Sequence, residues 1–167
     1  DEATRPLFVI AGPCVIEDHE RGAGFTRGIA ARLGEIMGRL GIPWIFKASF
    51  DKANRTAHDG FRGPGLEEGL RILEDIRAAV GVPVLSDVHE TIQVVPAAQA
   101  LDVLQIPAFL CRQTDLVTQA ARCARALNVK KGQFLAPSDM RNVLEKTRSA
   151  GGTDRVALTE RGTTFGD

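Results

Sequence analysis

Short apolar runs alternate with helical stripes along the sequence, and this alternation restricts the possible folds more than any other feature. Each run is nearly continuous, as expected for a strand that is buried on both faces of a parallel sheet. The six runs are residues 7–11, 44–48, 82–86, 103–106, the residues around Val129, and residues 156–158. Strands that alternate with helices pair in parallel through right-handed crossovers. The sequence therefore predicts an α/β fold.

Four segments between these strands carry apolar residues at helical spacing, namely residues 29–40, 66–80, 116–127 and 140–147. Ser138 and Asp139, which follow Pro137, predict the start of the last of these helices. Residues 91–101 predict a weaker helix that Pro96 interrupts, because proline removes a backbone hydrogen bond. The spacing of Leu127 assigns it to the end of the third predicted helix, residues 116–127.

Two architectures satisfy this alternation: a doubly wound open sheet and a (β/α)₈ TIM barrel. Six strands suit the open sheet, and a barrel usually takes about 250 residues, which is more than the 167 present. Polar and charged residues nevertheless follow all six strands. In an open sheet, the outer strands lie too far from the switch point to contribute to a site. Convergence of reactive side chains at the carboxyl ends of six strands therefore favours the barrel.

Composition argues against several classes of protein. Basic and acidic residues number 21 each, so the formal net charge is zero, and no global basic field points to nucleic acid or to an anionic membrane. Three scattered cysteines do not form a disulfide framework, which fits a reducing cytoplasm. No run is long enough to span a membrane. We expect a cytoplasmic protein, with no nucleotide cofactor because the glycine-rich phosphate-binding motifs are missing.

Two groups of cations follow predicted strands. Lys47, Lys52 and Arg55 lie within nine residues, and they form either a clamp for phosphate and carboxylate groups or a solvated basic loop. Lys130 and Lys131 lie beside an apolar strand, where an unpaired ammonium is costly. Either a ligand anion offsets that cost, or one of the two lysines faces inward and pairs with an acidic side chain.

Two further residues leave alternatives open. Arg161 follows the sixth strand, and it is an anion ligand, a salt-bridge partner of Glu160 or a surface residue. Cys14 follows Gly12 and Pro13 at the end of the first strand. A free cysteine is most often a small buried hydrophobic residue, whereas a thiolate at a strand end can bind a metal.

Seven blocks of the sequence together resemble the family of 3-deoxy-D-manno-octulosonate-8-phosphate synthases. They are IAGPC at 10–14, FKASFDKANR at 46–55, FRGPGL at 61–66, SDVHE at 86–90, QIPAFLCRQTDL at 105–116, NVKKGQF at 128–134 and TERGTTFG at 159–166. The blocks are long and occur in order in predicted loops. The resemblance implies a single TIM-barrel domain over residues 1–167, with about six βα units present and the C-terminal strands lacking.

The resemblance also implies an activity. Members of this family condense phosphoenolpyruvate with D-arabinose 5-phosphate to give 3-deoxy-D-manno-octulosonate 8-phosphate and phosphate, in lipopolysaccharide biosynthesis. By this resemblance, the phosphoenolpyruvate ligands are Ser49, Lys52, Gln105, Lys130 and Arg161. The sugar-phosphate ligands are Lys47, Asn54, Arg55, Thr56 and Arg112, the last of which a neighbouring subunit of a homotetramer lends. The residues implied in catalysis are Lys52, Asn54 and Asp87.

The resemblance further implies a divalent metal, because Cys14 occupies the position at which metal-dependent members carry cysteine. Zinc, iron and manganese are the candidate ions. The other ligands of the family, a His, a Glu and an Asp, come after the TTFG block. We therefore expect the sequence to be incomplete relative to the working enzyme.

Two alternatives differ from this interpretation. The sister enzyme, which makes 3-deoxy-D-arabino-heptulosonate 7-phosphate from erythrose 4-phosphate, has a Lys-Pro-Arg-Thr loop where this chain has Lys52-Ala53-Asn54-Arg55. The asparagine favours the eight-carbon product. The second alternative is a non-catalytic truncated barrel that only binds phosphorylated sugars.

Overall fold

The strands of the protein form one sheet in the order in which they occur along the chain. A computed structural model describes residues 7–164. Within them, the strands are β1 (Val9–Ala11), β2 (Trp44–Lys47), β3 (Val84–Asp87), β4 (Val103–Ile106), β5 (Leu127–Lys130) and β6 (Val156–Thr159). The helices are α1 (Asp18–Arg21), α2 (Phe25–Leu40), α3 (Leu66–Val80), α4 (Thr91–Ala100), α5 (Thr114–Cys123) and α6 (Met140–Ser149).

The sheet order β1-β2-β3-β4-β5-β6 distinguishes the two predicted architectures. Parallel registers join β1 to β2, β2 to β3, β4 to β5 and β5 to β6. A doubly wound sheet reverses its strand order at the switch point, and this sheet does not reverse. The prediction of a partial TIM-barrel topology is confirmed, with six strands and five complete βα units among residues 7–164.

The chain divides into two compact units, an N-terminal unit up to Leu85 and a C-terminal unit from Ser86. The boundary falls within β3. The prediction of one domain over residues 1–167 stays a prediction. No helix among the described residues is both long enough and apolar enough to cross a membrane.

The core of the N-terminal unit lies between the strands and the apolar faces of α2 and α3. Phe46 of β2, Ala30 of α2, and Leu73 and Ile76 of α3 are fully buried. Burying one such large aliphatic side chain contributes about 1.5–3 kcal/mol. Both helices end at a glycine in the left-handed conformation, Gly41 and Gly81, as in the common αL helix stop.

The core of the C-terminal unit is built in the same way. Leu104, Ile106 and Val129 come from the strands, and Val94 and Val117 from the helices, and each is at most 1% exposed. β4 and β5 are buried over most of their length. A strand covered on both faces carries a continuous apolar run rather than an alternating one, which accounts for the sequence pattern.

Three local predictions were wrong. Pro96 does not interrupt α4, which runs from Thr91 to Ala100. The carbonyl that loses its hydrogen bond belongs to Ile92, a residue that is 78% exposed, so water can take the place of the missing N–H. Leu127 belongs to β5 and not to the preceding helix, because α5 ends at Cys123.

The third wrong prediction concerns the capping of α6, whereas its predicted start directly after Asp139 is confirmed. Pro137–Asp139 form a 3₁₀ turn, and α6 begins at Met140. The Asp139 carboxylate accepts a hydrogen bond from the N–H of Ala136, 3.2 Å away, and no side chain caps α6. Local bonding of Asp139 to the turn competes with capping of the helix.

Gly69 provides a test of the packing of α3. A Cβ at this position would collide with Cβ of Phe50 and lie 3.1 Å from its Cα. We expect Gly69→Ala to lower the free energy of unfolding by about 1–3 kcal/mol through overpacking. Gly28→Ala in α2 is the matched control, because a Cβ there meets nothing within 4 Å. That variant should gain about 0.5–1 kcal/mol from helix propensity. Urea unfolding monitored by circular dichroism measures both, and equal effects would contradict the packing.

Candidate functional site

The turn after β1 is held against the end of β2 by backbone contact and by one lysine. A Cβ at Gly12 would overlap the carbonyl oxygen of Lys47 and lie 2.9 Å from its carbonyl carbon, so only glycine permits this approach. Nζ of Lys47 donates to the carbonyl oxygen of Cys14 at 2.7 Å and lies 3.5 Å from that of Pro13. Lys47, predicted as a sugar-phosphate ligand, therefore holds the segment that carries Cys14.

The loop after β2 is closed at its base. Arg62 donates from Nε and Nη2 to the two carboxylate oxygens of Asp51, the bidentate geometry that arginine prefers with carboxylates. The N–H of Lys52 donates to the carbonyl oxygen of Arg62 at 2.6 Å. These contacts fix the backbone of Lys52 and leave the following residues in a surface loop.

The predicted ligands on this loop differ in exposure. Lys52, Asn54 and Thr56 are exposed, and Arg55 is partly buried with Nε donating to the carbonyl oxygen of His58 at 3.0 Å. Ser49 is buried, and its carbonyl oxygen accepts the N–H of Ile16 at 3.0 Å. The exposed side chains suit a ligand approaching from solvent, and they suit a solvated basic loop equally well.

Four strands of the C-terminal unit are joined by a series of polar side chains, here called the polar ladder. It consists of Lys130, Asp87, Gln105, Asn128 and Thr159. Nζ of Lys130 lies 3.6 Å from Oδ1 of Asp87, and Nε2 of Gln105 donates to the same oxygen. Nδ2 of Asn128 donates to Oε1 of Gln105 at 2.7 Å, and Oγ1 of Thr159 donates to Oδ1 of Asn128 at 2.9 Å.

The polar ladder follows from the register of the strands. Gln105 of β4 lies opposite Asn128 of β5, and Lys130 lies opposite Thr159 of β6. Asp87, Gln105 and Asn128 are at most 8% exposed, and buried polar groups are costly unless they are hydrogen-bonded. The ladder brings together three predicted site residues: Asp87, Gln105 and Lys130.

The two lysines at the end of β5, Lys130 within the strand and Lys131 directly after it, are both paired with acidic side chains. Lys130 pairs with Asp87, and Lys131, which is 1% exposed, has Nζ 3.3 Å from Oε1 of Glu160. The buried ammonium of Lys131 is thus compensated by protein groups and does not require a ligand anion. Lys130 keeps 24% of its side chain exposed, so a ligand can still reach it.

Arg161 is exposed, and its side chain makes no salt bridge with Glu160. Oε1 of Glu160 instead accepts the backbone N–H groups of Arg161 and Gly162, at 2.9 and 2.8 Å. Partial desolvation raises the pKa of Glu160, but these two hydrogen bonds and the Lys131 ammonium outweigh it, so the pKa lies below its ordinary value. Arg112 is also exposed, and its carbonyl oxygen accepts Nζ of Lys146 at 3.1 Å.

Cys14 is exposed and has a free thiol. Among residues 7–164, no group of three or more His, Cys, Asp or Glu side chains is placed to hold a metal ion. A protein metal site of this kind needs about three protein ligands. The described residues therefore contain one donor of the predicted site, and the metal stays a prediction.

Several residues of these arrangements were not predicted from the sequence. Asn128 lies between the buried apolar residues Leu127 and Val129 of β5, and the need of a buried amide for partners is the signal that indicates its role. Thr159 and the Asp51–Arg62 pair carried no comparable signal. Of the TERGTTFG block, Phe165 and Gly166 lie outside the described residues.

Comparison with known proteins matches residues 3–167 to the DAHP synthetase I family. Curated relatives named 2-dehydro-3-deoxyphosphooctonate aldolase are similar to this chain over nearly its whole length. The protein of Trichlorobacter lovleyi is 60% identical over 97% of this chain and 58% of its own length. That of Geobacter metallireducens is 59% identical over 98% and 58%, and that of Alkalilimnicola ehrlichii 54% over 97% and 57%. The chain thus spans a little under three fifths of these relatives.

Asn128 tests the polar ladder. We expect Asn128→Ala to lower the free energy of unfolding by about 1–3 kcal/mol, because it leaves Gln105 and Thr159 with unsatisfied polar atoms. Asn142→Ala on the exposed surface of α6 is the matched control, and it should change stability by less than about 0.5 kcal/mol. Urea unfolding of both variants measures the difference. Equal stability of the two would show that the ladder contributes nothing.

Proposed function

The chain belongs to the DAHP synthetase I family, and from this premise we propose that it is the larger part of a 3-deoxy-D-manno-octulosonate-8-phosphate synthase. The proposed reaction condenses phosphoenolpyruvate with D-arabinose 5-phosphate and releases phosphate. The observation that carries the proposal is the 54–60% identity, over 97–98% of this chain, to relatives named for that activity. Because the chain covers about 58% of those relatives, the proposal concerns the complete protein.

The phosphoenolpyruvate ligands in this proposal are Lys130, Arg161 and Gln105, together with Lys52 and Ser49. Lys130 supplies a point charge and Arg161 a planar donor fork, which suit phosphate and carboxylate groups. The Asp87 carboxylate, 3.6 Å from Nζ of Lys130, holds that ammonium in place. It also keeps the local charge near neutral until an anion arrives, which limits the desolvation cost of the empty site.

The sugar-phosphate ligands in this proposal are Lys47, Asn54, Arg55 and Thr56, with Arg112 supplied by a neighbouring subunit. The closed base of the loop, formed by Asp51 and Arg62, limits the freedom of the residues after it. A preorganised loop loses less conformational entropy on binding than a free one. The proposed homotetramer rests on Arg112 alone. This residue is exposed, so in an assembly it would be able to reach the sugar phosphate bound by a neighbouring subunit.

The chemistry of the proposal joins two anionic molecules. Carbon 3 of phosphoenolpyruvate attacks the aldehyde carbon of the sugar while water adds to carbon 2, and the hemiketal phosphate then loses phosphate by cleavage of its carbon–oxygen bond. Lysine and arginine side chains offset the mutual repulsion of the substrates and stabilise charge that develops in the transition state. In this scheme Asp87 and Gln105 keep the charged groups oriented through the polar ladder.

A divalent metal is part of the proposal, with zinc, iron or manganese as the candidate. Cys14 would hold it, and bound there the ion would polarise and orient oxygen atoms of the substrate or of water. The hydrogen bond from Nζ of Lys47 to the Cys14 carbonyl oxygen, at 2.7 Å, restrains the backbone of this residue. That restraint would preorganise the ligand for the ion. We place the working enzyme in the cytoplasm, where thiols remain reduced.

A comparison of two aldose phosphates tests the proposed function on the natural full-length protein that contains this sequence. With phosphoenolpyruvate, phosphate release should be on the order of 10²-fold faster with D-arabinose 5-phosphate than with erythrose 4-phosphate, judged by kcat/KM. A preference for erythrose 4-phosphate would identify the seven-carbon synthase instead. Binding of arabinose 5-phosphate without turnover would favour a non-catalytic barrel.

Lys52→Ala tests whether this lysine belongs to the phosphoenolpyruvate site. It should lower kcat/KM on the order of 10²- to 10³-fold through loss of a charge that stabilises the transition state. Arg32→Ala removes a surface cation of α2 that pairs with Glu35 at 2.6 Å, and it should leave the kinetics as in the wild type. Equal kinetics of the two variants would remove Lys52 from the site.

Metal removal tests the role of Cys14. Dialysis of the full-length protein against a strong chelator should abolish phosphate release, and added zinc, iron or manganese should restore it, because the ion orients the reacting oxygens. Cys14→Asn should bind less metal, as measured by elemental analysis. Full activity of protein verified to be metal-free would overturn the metal assignment.

A further inference from the structure

Lys131 directly follows β5, and its ammonium is surrounded by protein acceptors. Nζ lies 2.8 Å from the carbonyl oxygens of Leu135 and Gly162 and 3.3 Å from that of Gly132. It also lies 3.3 Å from Oε1 of Glu160. An ammonium has three N–H donors, so these four contacts account for its whole hydrogen-bonding capacity.

The acceptors belong to two segments, the β5 turn (residues 132–135) and the β6 tip (residues 160–162). The backbone continues the pairing of β5 with β6 on either side of the ammonium. The N–H of Lys131 donates to the carbonyl oxygen of Thr159 at 2.9 Å, and that of Thr164 donates to the carbonyl oxygen of Gln133 at 2.8 Å. The Lys131 side chain therefore joins the β5 turn to the β6 tip just beyond the end of the sheet.

Stability alone does not explain a charged group at this position. Lys131 is 1% exposed, and moving an ammonium out of water is costly even when it is paired. Replacing a buried ion pair by apolar side chains of similar volume is often neutral or stabilising. A buried lysine that spans two segments does supply a defined geometry, which an apolar side chain does not.

The β6 tip carries Arg161, and its backbone is restrained on both sides of that residue. Oε1 of Glu160 accepts the N–H groups of Arg161 and Gly162, while the carbonyl oxygen of Gly162 accepts Nζ of Lys131. Gly162 has a φ of 80°, a conformation that side chains other than glycine rarely adopt. Among residues 7–164, the Arg161 guanidinium makes no salt bridge, so its orientation depends on this backbone.

We propose that Lys131 is a positioning residue that acts through Arg161, holding the β6 tip so that the guanidinium meets an anionic substrate group in a fixed orientation. This inference rests on the proposed function, in which Arg161 binds phosphoenolpyruvate. Lys131 itself touches no substrate, because its ammonium is enclosed by protein groups.

Affinity for phosphoenolpyruvate, measured by calorimetry on the full-length protein, tests the inference without requiring turnover. Lys131→Met should raise the Kd for phosphoenolpyruvate about 10- to 100-fold, by analogy with the loss seen when a group that orients a metal-ligating side chain is removed. The KM for arabinose 5-phosphate should change by less than about twofold, because the variant leaves the proposed ligands of that substrate in place. An unchanged Kd for phosphoenolpyruvate overturns the inference.

A double-mutant cycle with Arg161→Ala separates positioning from general damage. If Lys131 acts through Arg161, Lys131→Met should change the Kd by less than about threefold in the Arg161→Ala background. The full effect in both backgrounds would show a structural role only, and would overturn the inference. Ile76→Val, a change in the core of the other unit, controls for lowered stability and should leave the Kd unchanged.

Glu160→Gln covers the case in which Lys131→Met does not fold. The Glu160 side chain is 56% exposed, so its replacement spares the core while removing the charge that pairs with Lys131. It should raise the Kd for phosphoenolpyruvate about three- to tenfold, and again only when Arg161 is present. Additive effects with Arg161→Ala overturn the inference in this form as well.

The proposed function fails independently of this inference. Wild-type protein that binds phosphoenolpyruvate but releases no phosphate with arabinose 5-phosphate overturns the proposed function alone, and the cycle of Kd values still decides the role of Lys131. Wild-type protein that does not bind phosphoenolpyruvate overturns both.

Discussion

Satisfaction of buried polar groups at the ends of parallel strands is the constraint on which the C-terminal unit depends. Gln105 and Asn128 are at most 4% exposed, and each lies between two apolar residues of its strand. Each amide has both a donor and an acceptor side, and in the polar ladder each uses both. Removing one member would leave its neighbours unsatisfied, so the side chains hold one another in a single orientation. That orientation in turn fixes where Asp87 and Lys130 lie.

Much of the fold was predictable from the sequence, because burial on both faces of a parallel sheet requires continuous apolar runs. The six strands and the helices α2 to α6 follow from that pattern, whereas the short helix α1 was not predicted. The errors arose where surroundings override local preference. Pro96 lies inside α4, where the Ile92 carbonyl that it leaves without an N–H donor belongs to an exposed residue, and Leu127 has helical spacing but pairs with Val156 in the sheet. The spacing of apolar residues alone does not reveal either error, since each depends on which parts of these segments the rest of the chain buries.

The candidate site was predictable in its residue types but not in its pairings. Charged residues after strands indicate a site at the carboxyl ends of a parallel sheet, and Asp87, Gln105 and Lys130 do meet there. The partners Asn128 and Thr159 depend on the register of β4, β5 and β6, which no local pattern specifies. Of the two alternatives for residues 130–131, pairing of an inward lysine with an acid holds for Lys131, but its partner Glu160, directly after β6, could not be identified from the local sequence.

In the N-terminal unit, one residue, Lys47, has a structural contact as well as a proposed role in binding the sugar phosphate. Lys47 donates to the carbonyl oxygen of Cys14, and Gly12 allows the backbone before Cys14 to approach that of Lys47. The two residues that the sequence assigned to different ligands, a metal and a sugar phosphate, therefore form one local structure. In the proposed enzyme, an anion that drew the Lys47 ammonium away would also release the carbonyl oxygen of Cys14, so the proposed sugar-phosphate and metal ligands would be energetically coupled. By linkage, that coupling would be reciprocal: each ligand would strengthen or weaken binding of the other by the same factor.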